Sequence, residues 1–164
     1  MSFSARAIET SHKKAFYREL AGQLAALLRG ERDFIANSAN FAALVFEFVP
    51  DLNWAGFYFL KANQELVLGP FQGEVACVRI PFGKGVCGSS VAEVRTMLVP
   101  DVHAFPGHIA CDAASRSELV VPLVKDGKVL GVLDLDSPLP GRFDIEDQLG
   151  FEALAALYVK ASDF

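Results

Sequence analysis

Three cysteines, Cys77, Cys87 and Cys111, and three acids, Glu118, Asp134 and Asp136, are the residues of this chain whose types and spacing could do chemistry. The cysteines lie in or near glycine-rich stretches of the middle third, and the acids follow closely in sequence. A thiolate is a nucleophile and a redox centre. Carboxylates gathered on one face repel one another, which raises at least one pKa and creates a demand for a cation. Together they suggest thiol chemistry beside a site for a small ligand that carries positive charge.

An odd number of cysteines cannot form a fully paired extracellular framework, so each thiol is weighed as core filler, metal ligand or redox group. Cys77, within Ala76-Cys77-Val78, best suits burial as a small apolar residue. A zinc site could be assembled from His103, His108, Cys111 and Asp112, but the close Cys-x2-Cys or His-x3-His pairs that mark such sites are missing, so no metal is expected. Cys111 sits in the small-residue loop Gly107-His108-Ile109-Ala110-Cys111-Asp112, open to solvent and to a second thiol, which makes it a nucleophile candidate. Cys87 competes with it, because a position at the mouth of a helix would place the thiol in the positive end of the dipole.

Composition sets the frame for this chemistry. A chain of 164 residues matches one domain of ordinary size, which buries roughly 70% of its unfolded surface. With 52% apolar and 21% charged residues it has the material for a core and is not generally disordered. The net charge of -5, without any basic cluster, argues against nucleic acid and anionic lipid as partners. Residues 1–10 lack the apolar core and cleavage site of a signal peptide, and no apolar run is long enough for a membrane span, so the expected location is cytoplasmic.

The elements that must position the site follow from periodicity. Phe16, Leu20, Leu24, Leu27 and Leu28 predict an amphipathic helix over 11–29, and a second helix is expected from an Asn37 cap to Pro50. From Asn53 the period becomes two, predicting a strand through Phe59, with further strands at 65–68 and 76–80. Residues 81–88 form a glycine-rich turn into a helix near Ser89–Val94, followed by a strand at 97–99 and a loop over 100–117. Strands 118–124 and 128–136 flank a hairpin signal, Lys125-Asp126-Gly127. A last helix over 144–159 carries Leu149, Ala153, Leu154 and Leu157 on one side. The expected fold is α+β, an antiparallel sheet with helices packed on it, and the whole of 1–164 reads as a single unit: helices over 11–49, sheet and catalytic loops over 53–136, and a closing helix at 144–160.

The hairpin decides where the acids point, because a shift of one residue inverts every side chain. A two-residue loop would pair Lys125 with Lys128 and place Glu118 opposite Leu135, splitting the acids between faces. A three-residue loop with Gly127 in the left-handed position pairs Glu118 with Asp134, brings Asp136 to the same face, and leaves Leu119, Val121, Leu123, Leu133 and Leu135 together for a helix layer. The second arrangement is expected.

Several segments carry a resemblance: Asn53-Trp54-Ala55-Gly56-Phe57-Tyr58, Gly69-Pro70-Phe71-Gln72-Gly73, Ala76-Cys77-Val78-Arg79-Ile80-Pro81, Gly85-Val86-Cys87-Gly88, Asp101-Val102-His103, Gly107-His108-Ile109-Ala110-Cys111-Asp112 and Gly131-Val132-Leu133-Asp134-Leu135-Asp136-Ser137. Over about residues 50–150 the chain resembles the free methionine-(R)-sulfoxide reductases, a family of GAF-domain enzymes. The resemblance implies reduction of free L-methionine (R)-sulfoxide with Cys111 as the attacking thiol, Cys77 as the resolving thiol and Cys87 as a third, recycling thiol. It places Glu118, Asp134 and Asp136 in the substrate pocket and Trp54 against the methyl end, while strand parity puts Tyr58 on the same face as Trp54. It further implies a sulfenic acid resolved to a disulfide, thioredoxin as the dithiol reductant, and no cofactor. A homodimer is one assembly consistent with this reading. The rival expectation is a non-catalytic GAF sensor of redox state or of a small ligand.

Overall fold

Why the acids and thiols meet is decided by one sheet. In the computed structural model, which describes residues 3–164, six antiparallel strands run in the order β3-β2-β1-β6-β5-β4, with β1 at Trp54–Leu60, β2 at Glu65–Gly73, β3 at Arg79–Pro81, β4 at Met97–Val99, β5 at Ser117–Lys125 and β6 at Lys128–Ser137. Met1 and Ser2, at the start of the segment read for a leader, lie outside the described residues.

Helices α1 (Lys13–Leu27), α2 (Phe34–Phe48) and α4 (Ile145–Ala161) cover one face of the sheet. Their apolar stripes meet the inward residues of the strands, including Phe57, Leu119, Val121, Leu123, Leu133 and Leu135. The opposite face carries Trp54, Tyr58, Val120 and Val132 and is covered by α3 (Gly85–Glu93) and by the irregular segments around residues 74–78 and 100–116. Since strand side chains alternate, this second face receives Asp134 and Asp136 between the helix-facing leucines. Among the described residues, no helix is long and apolar enough to cross a membrane.

The hairpin corrects the expected loop while preserving its consequence. Asp126 and Gly127 both adopt positive φ, 50° and 75°, and form a two-residue turn that pairs Lys125 with Lys128. The register then shifts between Leu123 and Val124, because Leu130 is an extra residue in β6, so Glu118 comes to lie opposite Asp136 rather than Asp134. A bulge inside the ladder restores the parity that the turn alone would have inverted. Gly131, beside the bulge, is pressed against β1, where an added Cβ would run into the carbonyl oxygen of Tyr58.

Other boundaries move for local reasons. The second helix begins at Phe34 because the Asp33 carboxylate accepts from the Ala36 amide at 2.8 Å, whereas Asn37 is buried inside the helix and donates to Ser162 Oγ at 3.0 Å. The expected strand at 76–80 shrinks to Arg79–Pro81, which leaves Cys77 on an irregular strap. The helix expected near Ser89 begins four residues earlier, at Gly85. In α4 the buried face is Phe151, Leu154, Ala155 and Tyr158, while Leu149 and Ala153 face outward.

Candidate active site

Cys77 and Cys111 are joined in a disulfide across a sequence separation of 34, linking the 74–78 strap to the loop that precedes β5. Both are half-buried, so Cys77 is not core filler. Beneath this bridge lies a cavity walled by Trp54, Tyr58, Val86, Cys87, His108, Ile109, Glu118, Asp134 and Asp136. The space open to the centre of a water molecule is about 30 Å³, enough for at least one ordered water.

The acids converge on the cavity from two strands. Asp134 and Asp136 stand two residues apart on β6, and Glu118 faces Asp136 from β5. The β1 ladder sets Trp54 opposite Asp136 and Gly56 opposite Asp134. Glycine at 56 leaves room for the Trp54 indole, which an added Cβ would approach to 2.7 Å. Tyr58 stacks on Trp54 at 5.8 Å between ring centres, and Trp54 on Phe71 at 5.2 Å.

Burial dominates the electrostatics. It pushes Asp134 up to about 6, against hydrogen bonding that pulls the other way. Glu118 is driven well above the usual carboxylate range by burial and then by the charges of Asp134 and Asp136, and Asp136 likewise by burial and Asp134. All three are pushed the same way, so the cluster resists carrying three charges at once and holds protons more tightly than free carboxylates do. Asp134 Oδ1 is buried and lacks a hydrogen-bond partner among the described residues, so the cavity holds a carboxylate with unmet demand for a donor.

Cys87 lies in the first turn of α3, where the helix dipole favours thiolate, yet the opposing effects win. The residue is 3% exposed. Its thiol is pushed well up by burial and by Asp134, Glu118 and Asp136, and its Sγ lies 3.9 Å from Glu118 Oε1. The expectation of an activated thiolate at Cys87 therefore fails, because the dipole competes with three nearby acids in a desolvated position.

Two neighbours of the site, His108 and Asn53, stand in the motif segments, but nothing in the sequence assigns them these contacts. His108, considered only as a zinc ligand, points Nε2 toward Glu118 Oε2 at 3.9 Å and is held neutral more strongly than usual by burial and by His103. Asn53 donates through Nδ2 to Asp112 Oδ2 at 2.7 Å and Ser115 Oγ at 3.0 Å, tying the Cys111 loop to the start of β1. Both depend on how a long loop folds back, which spacing does not encode. The sulfur of Cys111 is engaged by Cys77, so the His103, His108, Cys111 and Asp112 grouping does not form around it.

The GAF domain family model matches residues 36–161. A free methionine-R-sulfoxide reductase of Escherichia coli is 53% identical over 145 residues, 88% of this chain and 87% of that protein. The chain belongs to the free methionine-R-sulfoxide reductase family of GAF domains. A second member with that name, from Saccharomyces cerevisiae, is 42% identical over 160 residues, covering 93% of this chain and 89% of the other. The structure of the free methionine-R-sulfoxide reductase from Neisseria meningitidis in complex with its substrate superposes with a TM-score of 0.93 at 45% identity, over 98% of this chain and 95% of that one. Family membership places the fold among GAF domains, as expected from the motifs around the three cysteines.

Proposed function

We propose that this chain reduces free L-methionine (R)-sulfoxide to methionine, with the sulfoxide oxygen transferred to Cys111 and removed as water when a disulfide forms. The observation that carries the reading is a Cys77–Cys111 disulfide closed over a buried carboxylate cluster that contains an unpartnered acceptor, in a chain of this family.

The chemistry follows from carboxylates that cannot all be charged together. Asp134, whose Oδ1 lacks a partner, presents an acceptor to the substrate ammonium, a charge-assisted contact that a methionine inside a polypeptide cannot make. Burial and mutual repulsion push Glu118 and Asp136 up, which suits one of them to protonate the sulfoxide oxygen while the Cys111 thiolate attacks sulfur. The S–O bond is exchanged for oxygen on Cys111, releasing methionine and leaving a sulfenic acid. Cys77 then displaces that oxygen as water, and its sulfur bonds to Cys111. A dithiol of the thioredoxin class reduces the bridge by exchange, becoming a disulfide itself. Cys87, protonated and beneath the acids, fits reserve exchange with the bridge rather than the first attack.

The deciding experiment supplies the purified protein with free methionine (R)-sulfoxide and dithiothreitol and measures methionine. Turnover that disappears in Cys111→Ser, with no reaction on the (S) diastereomer, supports the enzyme. Saturable binding without methionine release would instead fit a sensor.

A further inference from the structure

We propose that Tyr58 and Trp54 are positioning residues for the second half of this cycle, holding the 74–78 strap by its carbonyl groups so that Cys77 is presented to Cys111. The inference deepens the proposed function and rests on it for its place in the reaction.

The strap needs such a device. It follows the end of β2 and precedes the three-residue β3, and from Glu74 to Cys77 it makes no backbone–backbone hydrogen bond among the described residues. Its next residue, Val78, returns to the sheet by accepting from the Leu68 amide at 2.9 Å. Glu74 and Val75 are exposed, the latter 84% exposed, so side-chain burial does not anchor this part of the strap. Unanchored, a segment of this kind samples many conformations, and few of them place Cys77 at the neighbouring sulfur.

Two aromatic side chains reach up from the floor of the cavity to supply the missing partners. Trp54 Nε1 donates to the Glu74 carbonyl at 3.1 Å, and the Tyr58 hydroxyl donates to the Cys77 carbonyl at 3.0 Å. These are the two ends of the irregular stretch. The donors come from residues four apart on one strand face, with their rings stacked at 5.8 Å between centres, and the acceptors are carbonyls three residues apart in the strap. The strap therefore lies along the strand, gripped at both ends. Both rings are buried and stacked, which fixes where their polar tips point. Burial and the charge of Asp134 push the Tyr58 phenol up, so it stays an O–H donor across the working range.

This role differs from lining the substrate pocket. A wall residue affects the first step, attack on the sulfoxide. A residue that holds the Cys77 carbonyl affects the second, in which the Cys77 thiol displaces hydroxide from the sulfenic acid and water leaves. Tyr58→Phe separates the two, since it keeps the stacked ring and removes only the donor.

The test uses reduced full-length protein. In a single turnover with free methionine (R)-sulfoxide, Tyr58→Phe is expected to slow formation of the Cys77–Cys111 bridge about five- to tenfold more than it slows methionine release, the effect of one lost neutral hydrogen bond. Sulfenic acid at Cys111 should accumulate and be trapped by a dimedone-type reagent, as read by intact mass. Trp54→Phe should show the same lag, and the melting temperature of Tyr58→Phe should fall by no more than about 2–4 °C, the cost of about 1 kcal/mol in a chain of this size. A parallel arm bypasses the sulfoxide: hydrogen peroxide converts the Cys111 thiol to sulfenic acid and water, and bridge closure is timed from there. A lag in that arm supports the strap inference even if the sulfoxide is not a substrate. Equal slowing of methionine release and bridge formation, or unchanged closure after peroxide, would overturn it.

Discussion

Glu118 lies directly across the β5–β6 ladder from Asp136, although the two-residue turn at Asp126-Gly127 would by itself have put Leu135 there. The difference is the single extra residue Leu130, and the adjoining Gly131 makes the bulge possible by letting β1 approach closely. Gly131→Val forces its side chain against the Tyr58 carbonyl. The ladder must then bend or abandon the bulge, and abandoning it sends Glu118 to the face opposite Asp134 and Asp136. The expected outcome is a loss of about 1–3 kcal/mol in urea unfolding, together with loss of reductase activity. Full activity in a stably folded Gly131→Val protein would separate the bulge from the site.

Three buried carboxylates in one cavity make the site a source of instability at neutral pH. Asp134 titrates at about 6 in the folded protein against an ordinary 3.8, so the native state holds its proton more tightly than the unfolded chain. Its contribution is therefore full below 3.8 and is lost as pH rises through about 6, and Glu118 and Asp136, also shifted up, add losses of the same sign as pH rises. Glu118→Gln should raise the melting temperature at about pH 8 and flatten its decline above about pH 5. The same substitution should lower kcat at least about a hundredfold if Glu118 is the proton donor. Scanning calorimetry across pH checks the first, and a melting temperature below the parent's at high pH would refute it.

Much of this site was legible because side-chain parity on strands is simple. Trp54 and Tyr58 on one face, the acids together, and Leu119, Val121, Leu123, Leu133 and Leu135 on the other all follow from period two once the hairpin is placed. The turn itself was misjudged, since both Asp126 and Gly127 accept positive φ and the compensating bulge lies three residues away, where Leu130 looks like any other strand residue. Cys77 was hardest to read. Val78 and Ile80 suit a strand, but Trp54 and Tyr58 satisfy the preceding carbonyls and release the segment from the sheet. Long-range side-chain bonds of this kind leave no local pattern in the chain.

The thiols should differ sharply in reactivity. Cys87 is buried under the acids with its thiol pushed well up, while Cys77 and Cys111 are half-buried on the strap and loop. Fully reduced protein treated with iodoacetamide near neutral pH should be alkylated at Cys111 and Cys77, and Cys87 should react only after denaturation. Peptide mapping reads this directly. Early labelling of Cys87 in the native protein would contradict the electrostatic picture of the cavity.

On the far side of the molecule, Asp147 joins the first helix to the last. Its side chain is 1% exposed and pairs with Lys13 at 2.6 Å and Arg142 at 3.2 Å. It also accepts from the Tyr17 hydroxyl at 2.7 Å and from the Asp144 amide at 2.9 Å, completing a capping box at the start of α4. Replacing Asp147 by Ala removes the acceptor that four donors share and leaves the buried Tyr17 hydroxyl, the half-buried Arg142 guanidinium and the Asp144 amide short of a partner. Breaking one side of such a buried pair costs about 3–5 kcal/mol. Lys13→Ala should cost less, because that ammonium is one-third exposed and water replaces part of what it loses. Neither change touches the cavity, so kcat for the folded fraction should stay near the parent value while urea midpoints fall in the order parent, Lys13→Ala, Asp147→Ala. Equal midpoints for the two variants would show that the lysine pair, rather than the network behind it, holds α1 to α4.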